Sequence, residues 1–177
     1  IKIVALFAKL YIEVFRGLPV LVTLFIIYFT LPELNIHVNA FLSATIGLSL
    51  WSSANVGQSV KGAIESISVT QREASFSLGL NYAKTMQYII IPQAMRRIVP
   101  SIVGLLINLI HATSLTVLIS NKELLRSAQI IIERLLMIDG IAASLSLYLV
   151  VLLGYFIICY PLSKLASYLE RNLSLGS

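Results

Sequence analysis

Charged residues are scarce in this chain of 177 amino acids. Asp, Glu, Lys and Arg together make up 12% of it, whereas ordinary globular domains carry roughly 25% charge. Hydrophobic residues make up 58%, and the mean hydropathy is +0.90. A chain with this composition is far more apolar than a soluble globular enzyme. The composition therefore predicts an integral membrane protein.

Several features that enzymes and nucleic-acid binders need are also missing. The single cysteine, Cys159, forms no internal disulfide, and its place in an apolar run indicates a small hydrophobe. The sequence has no Gly-rich phosphate loop, no triad of nucleophile, base and orienter, and no His/Cys/Asp cluster with metal spacing. It also has no basic patch with stacking aromatic residues. These absences predict a chain without catalytic residues, metal or cofactor, and with no nucleic acid partner.

The apolar segments predict an all-α, polytopic transmembrane helical bundle, since about 20 apolar residues cross a bilayer. Four spans are expected at approximately residues 18–31, 39–60, 98–119 and 141–165. The first is short, so it either extends at its flanks or forms a tilted helix broken around Pro19. Residues 1–15 mix charged and apolar side chains, which predicts an amphipathic approach to that span. No repeat or linker is visible, so residues 1–177 are expected to form a single membrane domain.

The stretch 72–79, with Ile91-Pro92 further on, is a polar interruption between two apolar spans. Small residues at Ala74 and Ser75 would let another protein approach the backbone, and Gly79 can take the positive φ that ends a helix. Glu73 is expected in the first turn of a helix, where it favours the helix dipole, and Pro92 fits a bend or first turn. The sequence therefore predicts a docking surface within a loop at about 61–97. The alternative is an ordinary amphipathic loop.

Basic residues are distributed unevenly between the two sides of the predicted bundle. The side that holds the loop collects ten of them: Lys2, Lys9, Arg16, Lys61, Arg72, Lys84, Arg96, Arg97, Lys164 and Arg171. The other side keeps three: Lys122, Arg126 and Arg134. Because cytoplasmic loops carry an excess of Lys and Arg, the loop is expected on the cytoplasmic side and residues 120–140 on the outer side.

Polar side chains at bilayer depth are the best indication of a substrate pathway, because they are costly there and tend to line wet cavities. Asn55 and Gln58 lie three residues apart, and Gly104, Asn108 and His111 share one face of another helix. Two such faces could bind a zwitterion by hydrogen bonds. The alternative is contact between helices, at roughly 1 kcal/mol for each bond.

Two groups of residues resemble a known family. The triplet Glu73-Ala74-Ser75, followed by Gly79 and Pro92, is similar to the cytoplasmic coupling loop of permease subunits in bacterial ABC importers. In that family the loop folds as a helix, a turn and a second helix, and it seats in a groove of the ATPase. Residues 15–22 and 28–32, with residues 107–110 and the string around Ser114, resemble the polar amino acid uptake branch. The resemblance covers essentially the whole chain.

The sequence departs from that family's pattern in two places. His111-Ala112 stands where relatives carry a Lys-acid pair, and Asn55 and Gln58 stand where they often carry Tyr and Glu. Either this pathway does not favour a charged substrate, or a similar partner subunit carries the charged groups. The candidate pathway residues are Asn55, Gln58, Gly104, Asn108, His111 and Ser114.

The resemblance implies the function and partners of the chain. It implies a multi-pass permease of the bacterial cytoplasmic (inner) membrane, lacking a first span here, that pairs with an identical or similar second permease. Partner ATPase subunits would hold ATP and Mg, an external solute-binding protein would deliver a polar amino acid, and lipid would surround the spans. Alternatives are an importer permease for another small polar solute, or a secondary transporter or channel subunit. An intramembrane enzyme is a further alternative. Neither the transporter or channel nor the enzyme predicts the spacing from Glu73 to Pro92.

Overall fold

The structure is a computed structural model that describes residues 2–139 and 144–174. Within these ranges all the regular secondary structure is helical, and eight α-helices follow one another along the chain. They are α1 (Lys2–Gly17), α2 (Val20–Phe25), α3 (Ala40–Glu65), α4 (Val69–Ser77), α5 (Tyr82–Thr85), α6 (Ile91–Thr113), α7 (Leu124–Asp139) and α8 (Ser144–Ser174). Three predicted boundaries lie outside the described residues. They are the start of the amphipathic segment at residue 1, the start of the last span at residue 141 and the end of the outer segment at residue 140.

Non-α turns extend three of these helices. A π-turn, Ile26–Thr30, and a 3-10 turn, Pro32–Leu34, continue α2. A second π-turn, Met86–Ile90, joins α5 to α6, and a 3-10 turn, Ser114–Ile119, continues α6. The result is a helical run from Tyr82 to Ile119 of 38 residues. At 1.5 Å per residue this run is roughly 57 Å long, which exceeds the hydrocarbon core of about 30 Å, so part of it extends beyond the bilayer.

The chain bends sharply where the sequence predicts a broken helix. Lys2–Gly17 and Val20–Leu34 meet at an angle of 101°, and Pro19 stands at the start of α2 with φ −59°. Proline cannot supply the amide hydrogen that a continuing helix needs, which explains the break. Helix α1 is amphipathic, as expected for residues 1–15, and one of its faces leaves Ile3, Phe7 and Leu10 exposed.

Two helical runs in the described part of the chain are long and apolar enough to cross a membrane, Tyr82–Ile119 and Ser144–Asn172. The bent pair of α1 and α2 makes a third if it is counted as one span. The expected span at 39–60 forms helix α3. This helix is long enough to cross a membrane, but it is less apolar than the other two runs. The reason is its composition, since serine, asparagine and glutamine replace aliphatic side chains over much of its length.

Helix α3 packs inside the bundle through small residues, and it contacts α1, α2 and α6. Its buried positions are Ser43, Ala44, Gly47, Ala54 and Ala63. A Cβ added at Gly47 would lie 2.8 Å from Leu24 Cδ2, and Leu24 is fully buried. Small side chains therefore let α2 and α3 approach each other closely.

An apolar cluster joins the last turns of α3 to the start of α6, at the end of the bundle that carries the predicted loop. Its buried members are Ala63, Ile67, Ile90, Ala94 and Ile98. The loop between the two helices, which contains α4, is held above this cluster. The cluster therefore fixes the end of α3 against the start of α6, and α4 lies in the loop between them.

Candidate functional site

The polar stretch at 72–79 folds as a helix, a turn and a second helix. The Ser68 side chain caps α4 by accepting a hydrogen bond from the Thr70 amide at 3.2 Å. Gly79 has a φ of +79°, and the Leu80 amide donates to the Ser75 carbonyl at 3.1 Å, which closes the end of α4. The Asn81 side chain then caps α5 by accepting from the Lys84 amide at 3.0 Å. Each helix end in this loop thus has a residue suited to it.

The five predicted coupling residues lie in different surroundings in the structure. They are Glu73, Ala74, Ser75, Gly79 and Pro92. Glu73 and Ala74 are exposed, but Glu73 is the fifth residue of α4, so the expected position in the first turn is wrong. The first turn begins earlier because Ser68 supplies the cap. Ser75 is only 3% exposed and bonds to the buried Thr85 hydroxyl at 2.9 Å, so it packs against its own chain and offers no surface to a partner.

Pro92 is the second residue of α6, directly after the π-turn Met86–Ile90. Pro92 therefore lies in the first turn of α6, which is one of the two positions predicted for it, and the chain is helical on both sides of it. The π-turn widens the helix just before a residue that has no amide hydrogen, and π-turns of this kind accompany such local irregularities.

Sequence reasoning did not single out three exposed apolar residues of the loop that follow Glu73 closely in the sequence. Leu78 is 81% exposed, Tyr82 68% and Phe76 48%. These side chains lie in a loop between two membrane helices, where water surrounds them in the isolated chain. Large apolar residues next to the exposed, charged Glu73 would have been the signal for finding them. Together, Glu73, Phe76, Leu78 and Tyr82 are called the loop surface below.

Three of the predicted pathway residues, Gly104, Asn108 and His111, lie along one side of α6 together with Ser101, which was not predicted. Ser101, Gly104, Asn108 and His111 follow one another at intervals of three or four residues, and all but Gly104 are exposed in the single chain. This set is called the polar stripe below. A Cβ at Gly104 would meet nothing within 4 Å, and in the described part of the chain the Asn108 side chain makes no hydrogen bond. The polar stripe is therefore open to whatever lies beside this face of α6.

His111 and Ser114 are tied into the outer part of the bundle. The Ser114 hydroxyl donates to the His111 carbonyl at 2.7 Å, so it satisfies a backbone group and is not free for a ligand in this conformation. The His111 ring lies edge to face with the ring of Tyr155 on α8, with centroids 6.4 Å apart. The Tyr155 hydroxyl donates to Glu123 at 3.1 Å, and Glu123 in turn caps the start of α7. Neither Tyr155 nor Glu123 was predicted.

Asn55 and Gln58 do not join the polar stripe. The Asn55 amide donates to the Trp51 carbonyl at 2.8 Å, and its oxygen accepts from Arg16 on α1 at 3.4 Å. Gln58 lines a groove of about 380 Å³ between α1 and α3, together with Lys9 and Lys61. In this structure both amides face α1, and Asn55 acts as a contact between helices.

The described residues contain no group of three or more His, Cys, Asp or Glu side chains that could hold a metal ion. Two surfaces remain as candidates for binding, the loop surface at one end of the bundle and the polar stripe along α6.

Comparison with known proteins shows the family to which the chain belongs. The family model of the binding-protein-dependent transport system inner membrane component matches residues 2–175. The probable amino-acid ABC transporter permease protein YckA of Bacillus subtilis is 40% identical over 93% of this chain and 70% of its own length. The glutamine transport system permease protein GlnP of Escherichia coli is 34% identical over 95% of this chain and 75% of its own.

A solved structure gives the same result at the level of the fold. The crystal structure of an amino acid ABC transporter with histidines matches with a TM-score of 0.87 and 33% identity, over 97% of this chain and 78% of that chain. The family name implies that a binding protein delivers the solute and that a separate ATPase supplies the energy. The chain therefore belongs to the family of binding-protein-dependent transport system inner membrane components, as the permease of an ABC transporter and not its ATPase.

Proposed function

We propose that this chain is the permease subunit of an ATP-driven importer of polar amino acids. The relatives named above are amino-acid and glutamine permeases, and the matching crystal structure is that of an amino acid transporter. In the proposed complex the chain pairs with a second permease, identical or similar, and two ATPase subunits bind ATP and Mg. Lipid covers the outer face of α8, where Leu149, Leu153 and Ile157 are exposed.

The loop surface is the proposed contact with an ATPase subunit. It combines three exposed apolar side chains with the carboxylate of Glu73, on the side of the bundle that carries most of the basic residues. Exposed apolar clusters of this kind are typical of protein interfaces, because covering them with a partner removes apolar area from water. Ala74 is exposed beside Glu73 and leaves room for the partner to approach the backbone.

The polar stripe carries the proposal for the pathway. An exposed amide and an exposed imidazole in the apolar part of α6 that follows Arg97 need a wet or protein-covered surrounding, since lipid would leave them unsatisfied. In the proposed dimer this face of α6 lines the space between the two permeases. Asn108 and His111 would bind the polar groups of a zwitterionic amino acid, and the stripe contains no Asp, Glu, Lys or Arg that would demand a charged side chain.

The mechanism is alternating access between two states. ATP binding closes the ATPase pair and draws together the two loops that contact it. The helices then rearrange so that the space beside the polar stripe opens to the opposite side of the membrane. Each ligand shifts this equilibrium only through its different affinity for the two states.

The decisive variant is Asn108→Ala, measured in the complex reconstituted in lipid with its binding protein. Loss of a hydrogen bond to the solute should raise the solute concentration at half-maximal uptake by roughly tenfold. Such bonds contribute about 1–3 kcal/mol when one partner is left unpaired. Thermal stability should stay close to that of the wild type. Leu106→Ala is the control, because Leu106 is exposed on a different face of α6. Unchanged uptake, or a loss that follows stability alone, would contradict the pathway role.

A further inference from the structure

Two arginines from different helices converge on the last turn of α3. Arg72 of α4 donates from Nη2 to the Ile64 carbonyl at 3.4 Å, and Arg97 of α6 donates from Nη1 to the Ser66 carbonyl at 3.1 Å. The same Arg97 nitrogen also donates to the Ser66 hydroxyl. The last carbonyls of a helix have no partner within the helix, and a cation there also interacts favourably with the helix dipole.

The contribution of Arg97 is the better defined of the two. Its nitrogen reaches two oxygens of one residue, Ser66, which ends α3. Arg72 makes one longer bond, and its buried Nε has no hydrogen-bond partner in the described part of the chain. Replacing Arg97 should therefore have the larger effect on how the three helices are joined.

Additional polar contacts tie α4 to the helical run that leads into α6. The Gln93 amide of α6 donates to the side-chain oxygen of Gln71, next to Arg72 in α4. One turn further along α4, Ser75 bonds to Thr85 of α5, and both hydroxyls are buried. The buried contact between Ser75 and Thr85 favours one arrangement, because breaking it leaves unpaired groups away from water.

We propose that Arg72 and Arg97, with the Ile64 and Ser66 groups they bind, form a clasp that makes α4 and the cytoplasmic ends of α3 and α6 move as one body. Arg97 is one turn before Ser101, the first residue of the polar stripe. A displacement of α4 by the ATPase is thus delivered directly to the helix that carries the stripe. This positioning role rests on the proposed docking of the loop surface, whereas the joining of the three helices does not.

The test uses Arg97→Ala in the complete complex, in a background where Cys159 is replaced by alanine. Spin labels are placed at two exposed positions within the proposed rigid body, Thr70 in α4 and Met95 in the part of α6 that precedes Pro100. In the parent complex the distance between them should be narrowly distributed and equal with and without ATP. In Arg97→Ala the distribution should broaden, and the number of solute molecules imported per ATP should fall by roughly tenfold, as for loss of one charged hydrogen bond.

Two further variants separate this role from general loss of folding. Arg97→Lys keeps a cation at the end of α3 and should recover most of the import ratio. Lys61→Ala removes a charge from the same end of α3, where Lys61 makes an exposed ion pair with Glu65, and it should leave both readouts unchanged. An unchanged distance distribution in Arg97→Ala, or equal effects of Arg97→Ala and Lys61→Ala, would overturn the clasp. Failure of the docking proposal would show separately, as normal ATPase binding when the loop surface is altered.

Discussion

Replacing Gly79 by alanine tests whether the turn of the loop has to adopt a left-handed conformation. Gly79 has a φ of +79°, and a Cβ added there would meet no other atom within 4 Å. The substitution therefore creates no clash, and its whole cost comes from the backbone. A non-glycine residue in this conformation is disfavoured by about 1–2 kcal/mol. This cost acts on the turn that closes α4.

Two other substitutions serve as comparisons for Gly79→Ala. Gly62 in α3 also has open space around it, but its backbone is helical, so Gly62→Ala should stabilise the chain by about 0.5–1 kcal/mol. Asparagine tolerates positive φ better than alanine, so Gly79→Asn should cost less than Gly79→Ala. The expected order of loop stability is wild type, then Gly79→Asn, then Gly79→Ala.

Hydrogen exchange of the loop amides measures this order directly. In the wild type the Gly79 amide donates to the Phe76 carbonyl at 2.9 Å, and the Leu80 amide donates to the Ser75 carbonyl at 3.1 Å. A cost of 1–2 kcal/mol corresponds to about 5–30-fold faster exchange of the Leu80 amide, after correction for intrinsic rates. Equal protection of this amide in Gly79→Ala and Gly62→Ala would refute the argument from backbone conformation.

Three other expectations address docking, topology and packing. Glu73→Lys should leave insertion intact but reduce solute uptake per ATP several-fold, since it reverses the charge of the loop surface; wild-type coupling would contradict the docking role. A cysteine at Asn81 should react with an impermeant reagent only from the cytoplasmic side, and one at Lys122 only from outside, and the reverse result would overturn the orientation. Gly47→Ala should destabilise the complex by about 1–3 kcal/mol, because its Cβ would lie against the fully buried Leu24, and a gain in melting temperature would refute this.

Short sequence patterns predicted the parts of the fold that depend on neighbouring residues in the chain. Gly79 takes the positive φ that its position after a short helix suggests, and Pro19 marks a real break between two helices. The family and the all-helical fold also follow from the sequence, because apolar runs and the motif around Glu73 are both contiguous. No contact between distant residues is needed for any of these predictions.

The predictions that failed or stayed open depend on contacts between distant residues. Ser75 is adjacent to the exposed Ala74, and only its partner Thr85 shows that it points inward. Asn55 is satisfied by Arg16, which lies 39 residues earlier in the chain. Helix α3 was expected to be a span like the others, but it is less apolar than the other two long runs, and its contacts with α1, α2 and α6 cannot be read from its own sequence. Sequence periodicity contains no information about such partners.

Helix α6 connects the two candidate binding surfaces, and its interior contains Pro100. Proline cannot donate a backbone hydrogen bond to the preceding turn, so this is the weakest point of the helix between Arg97 and Asn108. A movement that enters at Arg97 therefore reaches the polar stripe through a helix that bends more easily just after the clasp than elsewhere. The clasp would fix the cytoplasmic part of α6 to α4, while the bend at Pro100 would set how far Asn108 moves. The clasp holds α6 before this proline, and the polar stripe after it is open. A helix with these two properties can convert a displacement of the loop into a change in the shape of the pathway.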